Sequence, residues 1–293
     1  MTVIDGSPSL EILQLCFCTA LEELIIGDCE SLAALEGNFT CLRKLVLGYN
    51  SGLESLQLYS CTALEELTVE NCGALTALEG KFTSLRKLDL SGSPRLKSLR
   101  LSFCTALEHL EIYDCDVLDT LEDMRSLRGL RYVDVLDCPR LPLLERLLSQ
   151  GYDLCAGLEW LDTDDFSFLT TSFCQYLTSL QRLAFHGCNT GEVRRLTDEQ
   201  ERALQLLTSL QELRFGGCED LEDLPVGLHR LYSLKKLEIA YCQRISSLSE
   251  KDLPPSLEEL EIWSCSEELT DVCRVLATRR SKPKIQIDWE YLN

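Results

Sequence analysis

Hydrophobic residues recur along this chain at a spacing that no helix can use. Residues 53–72 read LESLQLYSCTALEELTVENC, where Leu53, Leu56, Leu58 and Cys61 are answered eleven positions later by Leu64, Leu67, Val69 and Cys72. Residues at i, i+3 and i+5 fall near 0°, 300° and 140° on a wheel advancing about 100° per residue, so they share no helical face. The central L-x-L alternates as a half-buried strand does. Short strands are therefore predicted wherever the phrase appears.

Phrases begin at Leu10, Leu21, Leu42, Leu53, Leu64, Leu85, Leu96, Leu107, Leu130, Leu158, Leu180, Leu210, Leu234 and Leu257. The pattern L-x-x-L-x-L-x-x-C/N is the leucine-rich-repeat signature, one strand plus a return segment per coil. Eleven residues are too few to go out along one side of a coil and back along the other. Without Leu10, Leu53 and Leu96 the remaining gaps run from 21 to 30 residues, which are coil lengths. The three omitted phrases then belong on the return side as extended convex segments. LEILQLCFCTALEELIIGDC recurs 43 residues on, and again after another 43, as a two-coil duplication.

The expected fold is an α/β solenoid: a leucine-rich-repeat horseshoe with a parallel concave sheet of about eleven strands, partly extended convex segments and two short convex helical inserts. Residues 1–20 read as an incomplete first coil, 21–265 as eleven coils and 266–293 as a cap, together one domain. The inserts are PRLPLLERLLSQGYDLCAG, a short amphipathic helix ending near Gly151, and NTGEVRRLTDEQERALQLLTS. In the second, Thr197 and Gln200 make a capping box, with Leu204 and Leu207 facing the coil. The tail predicts a helix, a break at Pro283 and a strand at Ile285–Ile287. No amphipathic cap precedes Leu10, which suits a chain cut from, or docked onto, something on its N-terminal side.

Composition narrows the function. The 293 residues are 45% hydrophobic and 26% charged, as in folded chains. A net charge of −20 argues against nucleic acid or an anionic membrane as partner, and for a basic protein surface. No apolar run reaches the roughly 18 residues of a membrane span, and the start lacks the layout of a secretory signal, so a cytoplasmic location is expected. Of sixteen cysteines, eleven close a leucine phrase: Cys18, Cys29, Cys61, Cys72, Cys104, Cys115, Cys138, Cys188, Cys218, Cys242 and Cys265. They read as buried structural thiols in a reducing compartment. Cys16-Phe17-Cys18 lacks the second pair or histidines that zinc needs. There is no phosphate-binding loop, no nucleophile elbow and no calcium loop, and His109, His186 and His229 sit on separate coils. The Asn38-Phe39-Thr40 sequon is expected to be incidental. Neither catalysis nor a cofactor or metal is expected in this chain.

The residues after the first leucine and flanking L-x-L should face the concave groove. Down the stack they alternate in sign: Glu22-Glu23, Arg43-Lys44, Glu65-Glu66, Arg86-Lys87, Glu108-His109. Alternation replaces like-charge repulsion between neighbouring strands with pairs worth a few tenths of a kcal/mol each. Tyr49, Tyr113, Tyr132, Trp160, Tyr241 and Trp263 fall on the same predicted face, and large aromatics with a polar handle make binding anchors. Acids gather around Trp160 (Asp134, Asp137, Asp162, Asp164, Asp165), whereas Arg214, Lys235 and Lys236 reverse the sign downstream. Such a groove steers a basic patch.

LTSLQELRFGGCEDLEDLPVGLHRLYSLKKLEIAYCQRISSLSEKDLPPSLEELEIWSCSEEL, the insert LTDEQERALQLLTSLQEL and the ending KPKIQIDWEYL resemble the C-terminal leucine-rich repeats of plant, particularly grass, nucleotide-binding immune receptors of the coiled-coil type. The likeness is specific from about Leu180 onward and looser before it. It implies a non-catalytic module that senses a pathogen effector, directly or through a guarded host protein, and helps hold an upstream nucleotide-binding switch off. Carried over, Arg43, Lys44, Arg86 and Lys87 are candidates for the switch contact. Trp160, Arg214, Lys235, Tyr241 and Trp263 are candidates for effector contact. ATP or ADP binding does not carry over, because its loop is not in this sequence. Two rival readings are a leucine-rich-repeat substrate adaptor, which needs a ligase-docking helix that residues 1–20 cannot hold, and a free-standing inhibitor that binds its partner in the groove.

Overall fold

A computed structural model of the chain describes residues 1–15, 20–37, 39–124, 127–141, 155–187, 193–279 and 283–292. The Cys16–Cys18 pair, Asn38 of the sequon, Cys188 and most of the insert expected to be helical up to Gly151 lie outside them. The chain divides into two compact units, Met1–Leu154 and Cys155–Asn293.

In the first unit the strands are β1 (Thr2–Asp5), β2 (Ile12–Leu15), β3 (Glu23–Gly27), β4 (Ala34–Gly37), β5 (Lys44–Gly48), β6 (Ser55–Leu58), β7 (Glu66–Glu70), β8 (Ala77–Gly80), β9 (Lys87–Ser91), β10 (Ser98–Arg100), β11 (His109–Tyr113), β12 (Thr120–Glu122) and β13 (Tyr132–Leu136). The odd-numbered strands form one parallel wall in chain order, with leucine opposite leucine: Leu24, Leu45, Leu67, Leu88, Leu110 and then Val133. The even-numbered strands form the return wall as parallel pairs β2–β4, β6–β8 and β10–β12. Leu53, Leu56, Leu58 and Cys61 thus belong to the return wall and Leu64, Leu67, Val69 and Cys72 to the inner one, all wholly buried between the two. Apolar side chains converge from both walls, which is why one phrase serves each. Gly80 closes this packing: a Cβ there would lie 2.4 Å from the Phe82 ring, and Gly37 stands in the same relation to Phe39 at 2.6 Å.

One strand was not anticipated. Residues 1–20 were read as an incomplete coil, yet β1 pairs in parallel with β3, Thr2 beside Leu24 and Ile4 beside Ile26. It carries no leucine phrase, only Ile4 at the right interval.

The second unit contains β14 (Trp160–Thr163), α1 (Thr171–Cys174), β15 (Arg182–His186), α2 (Asp198–Leu204), β16 (Glu212–Gly216), β17 (Lys236–Ala240), β18 (Glu259–Trp263), α3 (Glu267–Arg279), β19 (Lys284–Ile287) and β20 (Glu290–Tyr291). β14 to β19 are parallel neighbours in chain order, and β20 turns back antiparallel onto β19. The Thr197–Gln200 capping box forms at the head of α2, and Leu204 and Leu207 are buried beneath it as expected. The tail helix, the Pro283 break and the strand through Ile285 and Ile287 also form. Here helices replace extended return segments, and phenylalanines fill the larger gap: Phe166 stacks on Phe185 at 4.3 Å and Phe185 on Phe215 at 5.6 Å. The α1 turn was not foreseen, because four residues are too few to show a helical period.

The inner strands other than β14 end the same way. Seven residues after the first leucine the backbone is left-handed at Asp28, Tyr49, Asn71, Gly92, Asp114, Asp137, Gly187, Gly217, Tyr241 and Ser264. Glycine, asparagine and aspartate tolerate that conformation, whereas a tyrosine there is strained. Among the described residues the next one is mostly a buried Cys or Asn, and several of these tie coils together. Asn50 donates through Nδ2 to the carbonyls of Ile26 and Gly48, both at 3.0 Å, and its Oδ1 accepts the Cys29 N–H at 3.3 Å. Cysteine does the same with weaker groups: the Cys138 thiol reaches the Leu136 and Ile112 carbonyls at 3.3 and 3.8 Å. Burial pushes the Cys72 and Cys265 thiols up to about 11, so both are neutral donors at physiological pH. Ser93 occupies the same rung, but its buried hydroxyl makes no hydrogen bond.

Two substitutions separate the rungs. Asn50→Ala orphans a buried N–H and a buried carbonyl and should cost about 2–3 kcal/mol in urea unfolding. Ser93→Ala removes a hydroxyl that bonds nothing and should stay within about 0.5 kcal/mol.

Candidate functional site

The concave face of the first unit is a laced sheet of charge. Arg43 meets Glu65 at 2.8 Å, Lys44 meets Glu66 at 2.7 Å, Arg86 meets Glu108 at 3.0 Å and Lys87 meets Glu111 at 3.0 Å. Each basic row leans on the acidic row of the following strand. All four residues nominated for the switch contact are therefore held in cross-strand pairs, with their heads still substantially exposed.

Beyond the pairs, acid accumulates. The register sets Asp89, Glu111 and Asp134 abreast on β9, β11 and β13. Burial and the neighbouring Glu111 and Glu70 push the Asp89 carboxyl up to about 6, although Lys87 opposes them. Asp134 is buried and accepts from the hydroxyl of Tyr113 and, at 3.4 Å, from that of Tyr132. Tyr113 is held in its neutral form by burial and by that carboxylate. The Tyr132 ring lies 5.4 Å from the His109 ring. The two tyrosines and Asp134 form one cluster, whereas the sequence pattern groups Asp134 with the acids around Trp160.

In the second unit Trp160 is built into the wall. Its indole N–H donates to Asp162 at 2.7 Å, and the Arg182 guanidinium lies 3.6 Å above its ring. Asp162 is buried and also meets His186 Nε2 at 3.6 Å. Asp164 follows at the end of β14, but Asp165, counted among the groove acids, instead caps a short 3-10 turn by accepting the Ser167 N–H at 2.7 Å. Arg214 pairs with Glu238 at 3.2 Å and Lys236 with Glu261 at 2.7 Å, whereas Lys235 is exposed just before β17.

Two tyrosines depart from the expected placement. Tyr49 and Tyr241 lie one residue past β5 and β17, in the left-handed turn at the strand end rather than on the strand face, and both are exposed. Trp263 does lie on the face of β18, its ring 4.9 Å from Trp289 and nearly perpendicular to it. Trp289 and Tyr291, both highly exposed, were missed. The signal was present in IDWEYLN, whose polar and aromatic alternation outlasts the strand.

A cavity of about 810 Å³ opens on the return side of the second unit beside α2, where Glu201 accepts the N–H groups of Val226 and Gly227 at 2.7 and 3.0 Å. Among the described residues no three His, Cys, Asp or Glu side chains are grouped to hold a metal, and no helix is long and apolar enough to cross a membrane.

The register of buried leucines on parallel strands, one per coil, decides the architecture. The fold is that of a leucine-rich-repeat solenoid. No protein-family model and no curated protein matches the chain. Solved structures similar to it include TLR13 in complex with ssRNA13 (16% identity, 83% of this chain and 43% of that one, TM-score 0.40). Others are a leucine-rich-repeat protein of Leptospira interrogans (17%, 92% and 90%, 0.42) and an internalin of Listeria monocytogenes (18%, 97% and 88%, 0.37). The chain spans less than half of the first of these, and it is the leucine register, not the likenesses, that defines the fold. Leucine-rich repeats of this kind present a surface for other macromolecules.

The acid row gives a pH signature. Because the folded pKa of Asp89 lies above its unfolded value near 3.9, the folded state takes up the proton first, and this residue's contribution falls as pH rises from about 4 to above 6. Asp89→Asn should raise the melting temperature at pH 7 and lose that advantage at pH 4, read by thermal scans across the range.

Proposed function

We propose that this chain is the recognition module of an intracellular plant immune receptor: non-catalytic, cytoplasmic, sensing a pathogen effector directly or through a guarded host protein, and helping to restrain an upstream nucleotide-binding switch. The observation that carries the reading is the outward strand face of each unit, with ion-paired rows and a tyrosine–carboxylate cluster in the first and accessible indoles in the second. The likeness of residues from Leu180 onward to the repeats of grass receptors supports the receptor assignment, and the net charge of −20 supports a basic partner surface over nucleic acid.

Within this reading the candidate effector contacts do not act alike. Trp160 is covered by Arg182, so its removal should lower stability by about 0.5–2 kcal/mol. Trp263 has one ring contact, with Trp289, and its polar edge faces Glu261 at 3.4 Å, so it is the better anchor. The test is capture of candidate effectors by the chain, alone and joined to the nucleotide-binding domain. Trp263→Ala should abolish capture with an unchanged melting temperature, and Trp160→Ala should lower the melting temperature. Undiminished capture by Trp263→Ala overturns its role as anchor.

For the switch, the basic rows have two competing uses. In the full receptor, Arg86→Glu combined with Glu108→Arg should restore the cross-strand pair, and with it the melting temperature, yet release the restraint. Retained restraint in that double variant removes Arg86 from the contact.

A further inference from the structure

We propose that the aromatic patch built by Tyr241, Trp263, Trp289 and Tyr291 docks an arginine- or lysine-bearing segment of a partner protein; the proposal rests on reading the chain as a recognition module and names the chemistry of what it recognises. Trp289 sits on the turn between β19 and β20, just after left-handed Asp288, and is 89% exposed. An open indole grouped with other aromatic rings is what an interaction surface displays. Its ring meets Trp263 edge to face at 4.9 Å and 73°, so the two indoles form a corner. Tyr291 lies opposite Gln286, which is in register with Glu261, and so extends the same face.

Tyr241 supplies independent support. Most coils place Asp, Asn, Gly or Ser in the left-handed turn, but this one holds a tyrosine at φ 55° with its ring 60% exposed and its N–H bonded to the Trp263 carbonyl at 2.8 Å. A strained backbone that displays an exposed aromatic ring at the end of β17, the strand paired with the one carrying Trp263, points to a functional surface.

Charge decides the occupant. By register Glu238, Glu259 and Glu261 share this face with Lys236 and Lys284, Asp288 follows at the turn and exposed Lys235 precedes β17, and Lys236 is already engaged by Glu261 at 2.7 Å. Carboxylates around indole faces favour a cation lying on the rings. They disfavour an anionic membrane, and a second copy of a chain with net charge −20 meets the same repulsion.

The test is NMR of the ¹⁵N-labelled chain titrated with a nine-residue glycine-serine peptide carrying three arginines, against the same peptide with citrulline in their place. The indole N–H signals of Trp263 and Trp289 should move with the arginine peptide while that of Trp160 stays, and the citrulline peptide should be silent. Trp289→Ala should weaken binding at least about fivefold. Tyr241→Asn should weaken binding while raising the melting temperature, because the strain is relieved. Equal shifts with citrulline, equal movement of Trp160, or binding that survives Trp289→Ala would each overturn the proposal. So would self-association that Trp289→Ala abolishes, which would make a second copy the occupant. If the peptide binds as expected but no effector is captured, the immune-receptor reading fails and this one stands. If effectors are captured and the peptide is silent, this one fails alone.

Discussion

What the structure depends on is the satisfaction of one buried backbone turn per coil. The inner strands other than β14 end in a left-handed residue, and the chain then enters the core with polar groups that water cannot reach. Asn50 meets this by bonding the coil before it at two points and its own Gly48 carbonyl at a third, and the thiols of Cys138, Cys218 and Cys242 meet it with weaker bonds to the carbonyls of the preceding strand. Neighbouring coils therefore share their hydrogen bonding as well as their apolar contacts. Cysteine abundance in this chain is a consequence of that rung, where a small group with a soft donor fits between leucines.

With the core fixed by leucines facing inward from both walls, the outward positions of the inner strands are left to chemistry. In the first unit they are consumed largely by each other, basic row against acidic row, with surplus acid pressed together on β9, β11 and β13. In the second unit the face is more heterogeneous. It holds a tryptophan stacked under an arginine, a buried aspartate between an indole and an imidazole, and a corner of one half-buried and one open indole at the last strands. A module that reads partners needs local differences of that kind on a regular frame.

Much of this was legible in the sequence because a leucine phrase reports its own geometry. The period separated inner strands from return strands, and the sign alternation foretold the ion pairs. The helix at Asp198–Leu204 announced itself through its capping box. What escaped was whatever lacked a period. β1 carries no leucine, α1 is one turn long, and Trp289 and Tyr291 follow the last phrase. Tyr49 and Tyr241 were placed one residue off because the left-handed turn that carries them has a backbone signature, not a hydropathic one. Trp160 was identifiable as a face residue, but Arg182 above its ring is a cross-strand neighbour 22 positions away.

The return wall of the first unit has a consequence for how such a chain changes length. Its strands pair two by two, β2 with β4, β6 with β8, β10 with β12, in separate small sheets, and the sequence duplicates in the same 43-residue measure. Unequal recombination that gains or loses one whole copy keeps every partnership on that wall. An exchange of a single coil leaves one strand with its edge groups unmet. The heritable unit of growth for this part of the molecule is thus the couplet, not the individual repeat.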